Sequence, residues 1–240
     1  MAGHSKWANI KHRKGAQDAK RGKVFTRIIK EISVAVKEGG EDPDSNPRLR
    51  MAIQNAKGVN MPKDNVQRAI NKASGSNANS YFEVTYEGYA PNGIAIFVEC
   101  TTDNINRTVA DVRAIFNKNG GELGKNGSLE FLFDRKGVFI IEKASILKNI
   151  EEFETLDEVC TIVCDYAKFG SMQEKLCSFN LNISSAELNR IPKSTKELDR
   201  DSALQVLQLV NKLEDHEDVQ QVFHDLKITS QIMDSINEKY

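Results

Sequence analysis

Hydrophobic residues recur at helical spacing in the first third of the chain, where they fall at i, i+3, i+4 and i+7. Asn46 followed by Pro47 is typical of a helix start, because asparagine caps free amides and proline suits the first helical position. A glycine follows the last apolar residue of each stripe, which is typical of a helix end. The pattern therefore predicts three short helices, over residues 23–39, 46–58 and 61–75.

The hydrophobic period changes to two after the small polar residues 74–80, which are typical of a linker. Asp103 or Asn104 is placed to cap a later helix, and the end of the chain from Thr229 is expected to fray. Strands are predicted over residues 82–86, 94–100, 129–133, 138–141, 183–191 and 219–226, with turns at 90–93 and 134–137. Further helices are predicted over residues 104–120, 151–167, 172–177 and 204–213.

This order of elements predicts the fold class. A run of helices followed by interleaved helices and strands with short connections is typical of α+β proteins. We expect an α+β multidomain chain, with an N-terminal three-helix domain followed by α+β (ferredoxin-like) units.

The charge is distributed unevenly along the chain, although the net charge is only −1. Residues 1–75 contain 16 Lys and Arg against 7 Asp and Glu, and the remainder contains 17 against 27. A phosphate backbone is therefore attracted by the first part, at +9, and repelled by the rest, at −10. Runs of charged residues usually form solvent-exposed faces with no further role. Nine basic residues against one acidic residue in residues 1–30 is a larger excess than such faces usually show.

The basic residues predict a nucleic-acid interface in this part of the chain. No recognition helix, zinc finger or RNA-recognition motif is present, which favours contacts to the phosphate backbone over readout of bases. Trp7 and His12 supply planar rings that can stack on an unpaired base, and Trp7 lies outside any apolar stripe, so partner contact is as reasonable as burial. The candidate contacts are Lys6, Trp7, Lys11, His12, Arg13, Lys14, Lys20, Arg21, Lys23, Arg27, Lys63 and Arg68, while Arg48, Arg50, Lys57 and Lys72 add positive charge.

A second candidate surface lies at the turn that leads into the helix predicted from residue 104. It consists of Asp103, Asn104, Asn106 and Arg107. Helix capping is an equally good role for Asp103 and Asn104.

Groups that could support catalysis or bind a metal are few. His216 lies among acidic residues, but a lone imidazole in a charged loop is usually solvated. Residues 120–125 superficially resemble a phosphate cradle, yet they follow a helix and lack the required order of residues. Cys160 and Cys164 share one face of the predicted helix, which offers two ligands where zinc sites usually need four. We expect no enzymatic activity, no cofactor and no metal.

The cellular location follows from what the sequence does not contain. No apolar run approaches the ~18 residues that cross a bilayer, and the N-terminus lacks the apolar core of a secretory signal. The cysteines are predicted to be small buried residues in a reducing compartment. We expect a cytoplasmic protein with no membrane partner, and the sequence does not define its oligomeric state.

Long stretches of the chain resemble the YebC/PmpR family. The likeness runs through MAGHSKWANIKHRKGAQDAKRGKVFTRIIKEI, DPDSNPRLRMAIQNAK, MPKDNVQRAI, YEGYAPNGIAIFVECTTDNINRT, FNKNGGELGKNGSLEFLFDRKG and LEDHEDVQQVFHD. The resemblance implies an N-terminal three-helix domain at 1–78 followed by two α+β (ferredoxin-like) domains, at 79–135 plus 202–228 and at 136–201, with a tail at 229–240. Between Ala167 and Ser171 the family generally carries an acidic, strand-forming insert that is nearly absent here, which puts the sheet of the third domain in question.

The resemblance also implies a role in gene expression. Family members are widely labelled DNA-binding transcriptional regulators, a related class activates translation in mitochondria, and bacterial members are linked to ribosomes stalled on difficult peptides. We therefore expect a non-enzymatic, DNA-binding transcriptional regulator, with a translation factor that binds the ribosome or ribosomal RNA as the alternative. Two competing hypotheses are an enzyme and a protein scaffold that docks a basic partner on acidic residues 151–158.

Overall fold

A computed structural model of the chain describes residues 18–75, 80–142, 159–179, 181 and 183–239. The helices, in chain order, are α1 (Asp18–Gly39), α2 (Pro47–Gly58), α3 (Lys63–Ser74), α4 (Ile105–Lys118), α5 (Phe169–Ser178), α6 (Arg200–Glu214) and α7 (Ser230–Lys239). The strands are β1 (Phe82–Ala90), β2 (Ile94–Thr102), β3 (Glu122–Leu123), β4 (Phe133–Glu142), β5 (Val159–Asp165), β6 (Ile183–Pro192) and β7 (Val219–His224). The predicted α+β class is confirmed.

Helices α1, α2 and α3 pack into a small helical bundle. Each helix contributes one apolar stripe, so the stripes meet inside and the charged residues stay outside. The first helix begins at Asp18, earlier than the apolar pattern predicts, because its first turns are polar. The buried residues of the bundle are Ile28, Ile32, Ala35, Val36, Leu49, Ala52, Ala56, Met61, Ala69, Ile70 and Ala73.

Asn46 joins the end of α1 to the start of α2. Its side-chain oxygen accepts a hydrogen bond from the Leu49 N–H (3.0 Å), which confirms the predicted helix cap. Its Nδ2 donates to the carbonyl oxygens of Ala35 (2.7 Å) and Gly40 (2.8 Å). The side chain is buried, so these bonds satisfy all of its polar atoms inside the bundle.

The first sheet has the strand order β3-β1-β2-β7, with antiparallel pairing between neighbours. Strands β1 and β2 form the predicted hairpin, whose turn places Asn92 and Gly93 at φ values of 62° and 69°. Asparagine and glycine adopt positive φ at little cost. Helices α4 and α6 cover one face with a core that includes Phe116, Val206 and Leu213. Strand β7 returns late in the chain to pair with β2, as the family resemblance implies.

The second sheet has the strand order β5-β4-β6 and packs on α5. This sheet forms even though the acidic insert is nearly absent. The core between the sheet and α5 contains Phe139, Ile141, Leu176, Ile183 and Ala186.

Two sequence predictions around β4 are wrong. Residues 129–133 were expected to form a strand, but Leu132 N–H donates to the Leu129 carbonyl (2.9 Å) in a short 3-10 turn, and the strand begins at Phe133. The glycine of the expected turn at 134–137 lies inside β4. A Cβ on Gly137 would lie 2.5 Å from a Phe169 ring carbon and 2.8 Å from Cys164 Sγ, so this glycine marks close packing.

The predicted acidic helix over 151–167 is also wrong where the structure describes it, because residues 159–165 form β5. The β-branched Thr161, Ile162 and Val163 favour a pleated strand. Cys160 and Cys164 still share one face, since residues four apart also align in a strand, and both contact the second core. Burial raises the pKa of the Cys164 thiol.

The end of the chain is ordered into helix α7, in contrast to the fraying expected from Thr229. Ile232 is almost fully buried in the core of the first sheet, which anchors the helix. Among the described helices, none combines the length and the apolar composition needed to cross a bilayer.

The described residues divide into two compact units. One unit contains residues 80–134 and 190–239, with the first sheet at its centre. The other combines the helical bundle with the described part of residues 135–189. The bundle is therefore grouped with the second sheet, although residues 80–134 of the other unit lie between the two along the chain.

Candidate nucleic-acid interface

Half of the predicted nucleic-acid contacts lie outside the described residues. Lys20 and Arg21 lie on the first turns of α1, where the structure describes the backbone alone. The contacts outside the described part of the chain are Lys6, Trp7, Lys11, His12, Arg13 and Lys14.

Two predicted contacts on α1 lie on one helix face. Lys23 is exposed and Arg27 is half-buried, and residues four apart lie one above the other on a helix. The apolar stripe turns into the bundle core, which leaves this basic face outside it. Lys30 contributes to the charge count but is only 7% exposed, so it does not belong to the same surface.

Helix α3 carries the last two predicted contacts. Lys63 is the first residue of the helix and is exposed. Arg68 is also exposed, and its guanidinium is held near the helix start by bonds to the Asp64 carbonyl (Nε to O, 3.2 Å) and to the Asn65 carboxamide. These contacts keep the Arg68 charge beside Lys63 at one end of α3.

Two of the three basic residues of α2, Arg48 and Arg50, make contacts near the helix start, whereas Lys57 is exposed. Arg48 forms an ion pair with Glu38 (Nη1 to Oε2, 2.6 Å). Arg50 donates from Nη1 to the carbonyl oxygens of Pro43 (3.1 Å) and Asp44 (2.9 Å). The four predicted contacts with described side chains, Lys23, Arg27, Lys63 and Arg68, thus lie on α1 and α3.

The second candidate surface is built into the start of α4. Asn104 is the helix cap, because its Oδ1 accepts from the Arg107 N–H (3.1 Å). The Arg107 guanidinium donates to Asp103 and to Asp218, at 2.9 Å in each case. Asn106 is exposed. Three of the four residues thus have a structural role, and a partner contact there stays a prediction.

Asp218 is the centre of this arrangement, and the sequence did not reveal it. Its side chain is 2% exposed, and one carboxylate oxygen accepts from Thr102 (3.1 Å), Thr108 (2.8 Å) and Arg107 (2.9 Å). Bonds to the Asp218 carboxylate raise the pKa of Arg107 above its ordinary value. Because the partners are more than 100 residues apart in the chain, no local pattern marks them.

His216 has two protein partners and is not the solvated residue expected from its charged neighbours. Its Nε2 lies 3.2 Å from Asp111 Oδ2, and its Nδ1 accepts from the Asp218 N–H at 3.2 Å. The side chain is only 14% exposed. This pattern matches an imidazole that donates from Nε2, and it orients the loop before β7.

The glycine-rich segment near residue 124 encloses a carboxylate that belongs to the protein. Glu87, which is buried on β1, accepts from the N–H groups of Gly127 (2.7 Å) and Leu129, and its carbonyl accepts from Gly124 (2.7 Å). The amides of Gly124, Gly127 and Leu129 are thus already used by Glu87. In the part of the chain that the structure describes, no group of three or more His, Cys, Asp and Glu side chains is arranged to hold a metal ion.

Two family models match this chain and together cover most of it. The model described as the TACO1/YebC protein N-terminal domain matches residues 5–76. The model described as the TACO1/YebC second and third domain matches residues 81–226.

Individual relatives agree with both models. A protein of Amoebophilus asiaticus named "Probable transcriptional regulatory protein" is 52% identical over 239 residues, covering 94% of this chain and 98% of that protein. A protein of Lactobacillus acidophilus with the same description is 47% identical over 235 residues, covering 93% and 97%. The crystal structure of the conserved hypothetical protein Aq1575 from Aquifex aeolicus matches with a TM-score of 0.79 at 39% identity, covering 90% of this chain and 94% of that one. The chain belongs to the TACO1/YebC family.

Proposed function

We propose that this chain is a non-enzymatic, nucleic-acid-binding regulator of gene expression that acts in the cytoplasm. The observation that carries the proposal is the concentration of positive charge in residues 1–75, which hold 16 Lys and Arg against 7 Asp and Glu. Such a segment attracts a phosphate backbone whatever its sequence. The relatives named as probable transcriptional regulatory proteins support a role in transcription, for which we propose DNA as the target.

The geometry of the bundle supports a binding surface on α1 and α3. Lys23, Lys63 and Arg68 are exposed there. Charged side chains on a rigid helical scaffold lose less freedom on binding than side chains on a loose chain.

The N-terminal residues complete this proposed interface. Lysine and arginine side chains there hold phosphates, and Trp7 and His12 contact bases or a neighbouring groove. The phosphate contacts that we assign are Lys6, Lys11, Arg13, Lys14, Lys20, Arg21, Lys23, Arg27, Lys63 and Arg68.

The test measures binding of the full chain to labelled duplex DNA and to a labelled ribosomal RNA fragment by fluorescence anisotropy, over a range of salt concentrations. Each lost phosphate contact flattens the slope of log K against log salt by about 0.9. The triple substitution Lys11→Glu, Arg13→Glu, Lys14→Glu is therefore expected to flatten the slope by about 3 and to weaken binding at least a hundredfold.

A matched control is the triple substitution of Lys118, Lys125 and Lys212 by glutamate, since these lysines are exposed and lie outside the basic segment. Both variants change the net charge by the same amount, so a general electrostatic effect would weaken both equally. Equal loss in the two variants, or unchanged binding in the first, contradicts the proposed interface. Tighter binding to the ribosomal RNA fragment than to the duplex DNA would indicate that the target is the ribosome and not DNA.

A further inference from the structure

Helix α2 packs against two cores at once. Its inner stripe of Leu49, Ala52 and Ala56 is fully buried in the helical bundle. On another side of the helix, Met51 packs against the core of the second sheet. The bundle and the second sheet thus share this helix within one compact unit.

Asn55 pairs with the backbone of β6. Its Oδ1 accepts from the Ala186 N–H and its Nδ2 donates to the Ala186 carbonyl, at 3.0 Å in each case. The Asn55 carboxamide thus bonds the N–H and the carbonyl of one residue, as a neighbouring antiparallel strand would. Gln54 adds a third bond, from Nε2 to the Ile183 carbonyl. Because β6 is the outer strand of the order β5-β4-β6, these side chains cover groups that a sheet edge leaves open.

Gly58 allows the backbones of α2 and β6 to approach closely. A Cβ at this position would lie 1.9 Å from the Ser184 carbonyl oxygen and 2.9 Å from its carbonyl carbon. The obstacle is strand backbone, and Ser184 is further held by a bond from its Oγ to the Ile140 carbonyl (3.0 Å). Any larger residue at position 58 must therefore push α2 away from β6.

We propose that Asn55 and Gly58 are positioning residues that dock the basic bundle on the second sheet, and that nucleic acid binds this docked form. This inference rests on the proposed function. Docking covers α2 and leaves the exposed charges of α1 and α3 in one fixed orientation, so the partner meets a surface that is already organised. An undocked bundle carries the same charges but must first be oriented.

We call the contact of Asn55 and Gly58 with β6 the dock. The test uses the full chain with Gly58→Ala, which should separate α2 from β6 without removing a charge or a hydrogen-bonding side chain. The Ala186 amide reports the dock directly, because its N–H donates to Asn55. We expect its hydrogen exchange to accelerate at least tenfold, while amides of β4 keep their protection. If the docked fraction falls to about a tenth, the apparent affinity for nucleic acid falls about tenfold.

Gly170→Ala is the matched control, because Gly170 lies in helix α5 with no atom within 4 Å of an added Cβ. It should change neither the Ala186 exchange nor the affinity. Asn55→Asp is a second variant, which keeps an acceptor for the Ala186 N–H but loses the donor to its carbonyl, and an intermediate loss of both readouts is expected.

The two readouts separate the possible outcomes. Unchanged Ala186 exchange in Gly58→Ala overturns the dock, and full affinity in a variant with an open dock overturns its role in binding. A wild-type chain that binds no nucleic acid overturns the proposed function and the role of the dock in binding, and it leaves the accelerated exchange at Ala186 as direct support for the dock itself.

Discussion

Replacing Asp218 with alanine should destabilise the first sheet more than any exposed acidic substitution nearby. The carboxylate is 2% exposed and accepts hydrogen bonds from Thr102, Thr108 and Arg107. A hydrogen bond to a charged group contributes about 1.5–3 kcal/mol. The loss of the Asp218 carboxylate is partly compensated, because two of its donors have other acceptors. Thr108 Oγ1 lies 3.0 Å from the Asn104 carbonyl oxygen, and Arg107 keeps its ion pair with Asp103.

These contacts set the expected magnitude for each substitution. We expect Asp218→Ala to lower the free energy of unfolding by about 3 kcal/mol, and Asp218→Asn by about 2 kcal/mol because it keeps one acceptor. Asp103→Ala is the control, since Asp103 is 54% exposed and shares the same arginine. Removing an exposed partner of this kind costs about 0–1 kcal/mol.

Native-state hydrogen exchange measures this effect where it arises. Amides of β2 lie in the core of the unit that contains Asp218, and their slowest exchange reports the opening of that unit. Amides of β4 belong mainly to the other unit and serve as an internal reference. Equal protection of β2 in Asp218→Ala and Asp103→Ala would refute the assignment of Asp218 as the central contact.

Two further substitutions test buried carboxylates of the same unit. Glu87→Gln removes the carboxylate that accepts from the Gly127 and Leu129 N–H groups. Hydrogen exchange of these two amides should therefore accelerate, while the amides that pair β1 with β2 stay protected. Unchanged exchange at Gly127 and Leu129 would contradict this expectation. Burial raises the pKa of Asp225, whose Oδ1 accepts from the Ala95 N–H. The folded chain then binds the Asp225 proton more tightly, so stability falls as the pH rises from the unfolded pKa through the folded one. The free energy of unfolding of Asp225→Asn, measured with urea, should therefore rise relative to that of the wild type between pH 4 and pH 7. If the difference between the two proteins does not change with pH, the raised pKa of Asp225 is not its cause.

Sequence patterns predicted the elements whose signals are local. The Asn46 cap and the hairpin turn at Asn92 and Gly93 each depend on residues within a few positions, and the structure confirms both. Some of the predictions that failed depend on residues distant in the chain. The expected strand at 129–133 turns instead, because Glu87 captures the Leu129 amide from 42 residues away.

The candidate site shows the same division. Charge asymmetry and the basic residues of α1 and α3 can be read from the sequence alone. Asn55 and Gly58 carry no such signal, because an asparagine and a terminal glycine are ordinary near the end of any helix. Their contacts with Ala186 and Ser184 arise only when the chain has folded.

The grouping of the bundle with the second sheet changes what the polar linker at 74–80 implies. A flexible linker alone would let the basic bundle sample many orientations, and binding would then have to select one of them. The dock removes this cost, because α2 contributes to both cores and Asn55 pairs with the edge of β6. Within the same unit, Arg48 of α2 forms an ion pair with Glu38, and Arg50 donates to the carbonyls of Pro43 and Asp44. Under the proposed function, the contact between α2 and β6 fixes the orientation, relative to the second sheet, in which α1 and α3 would meet a nucleic acid.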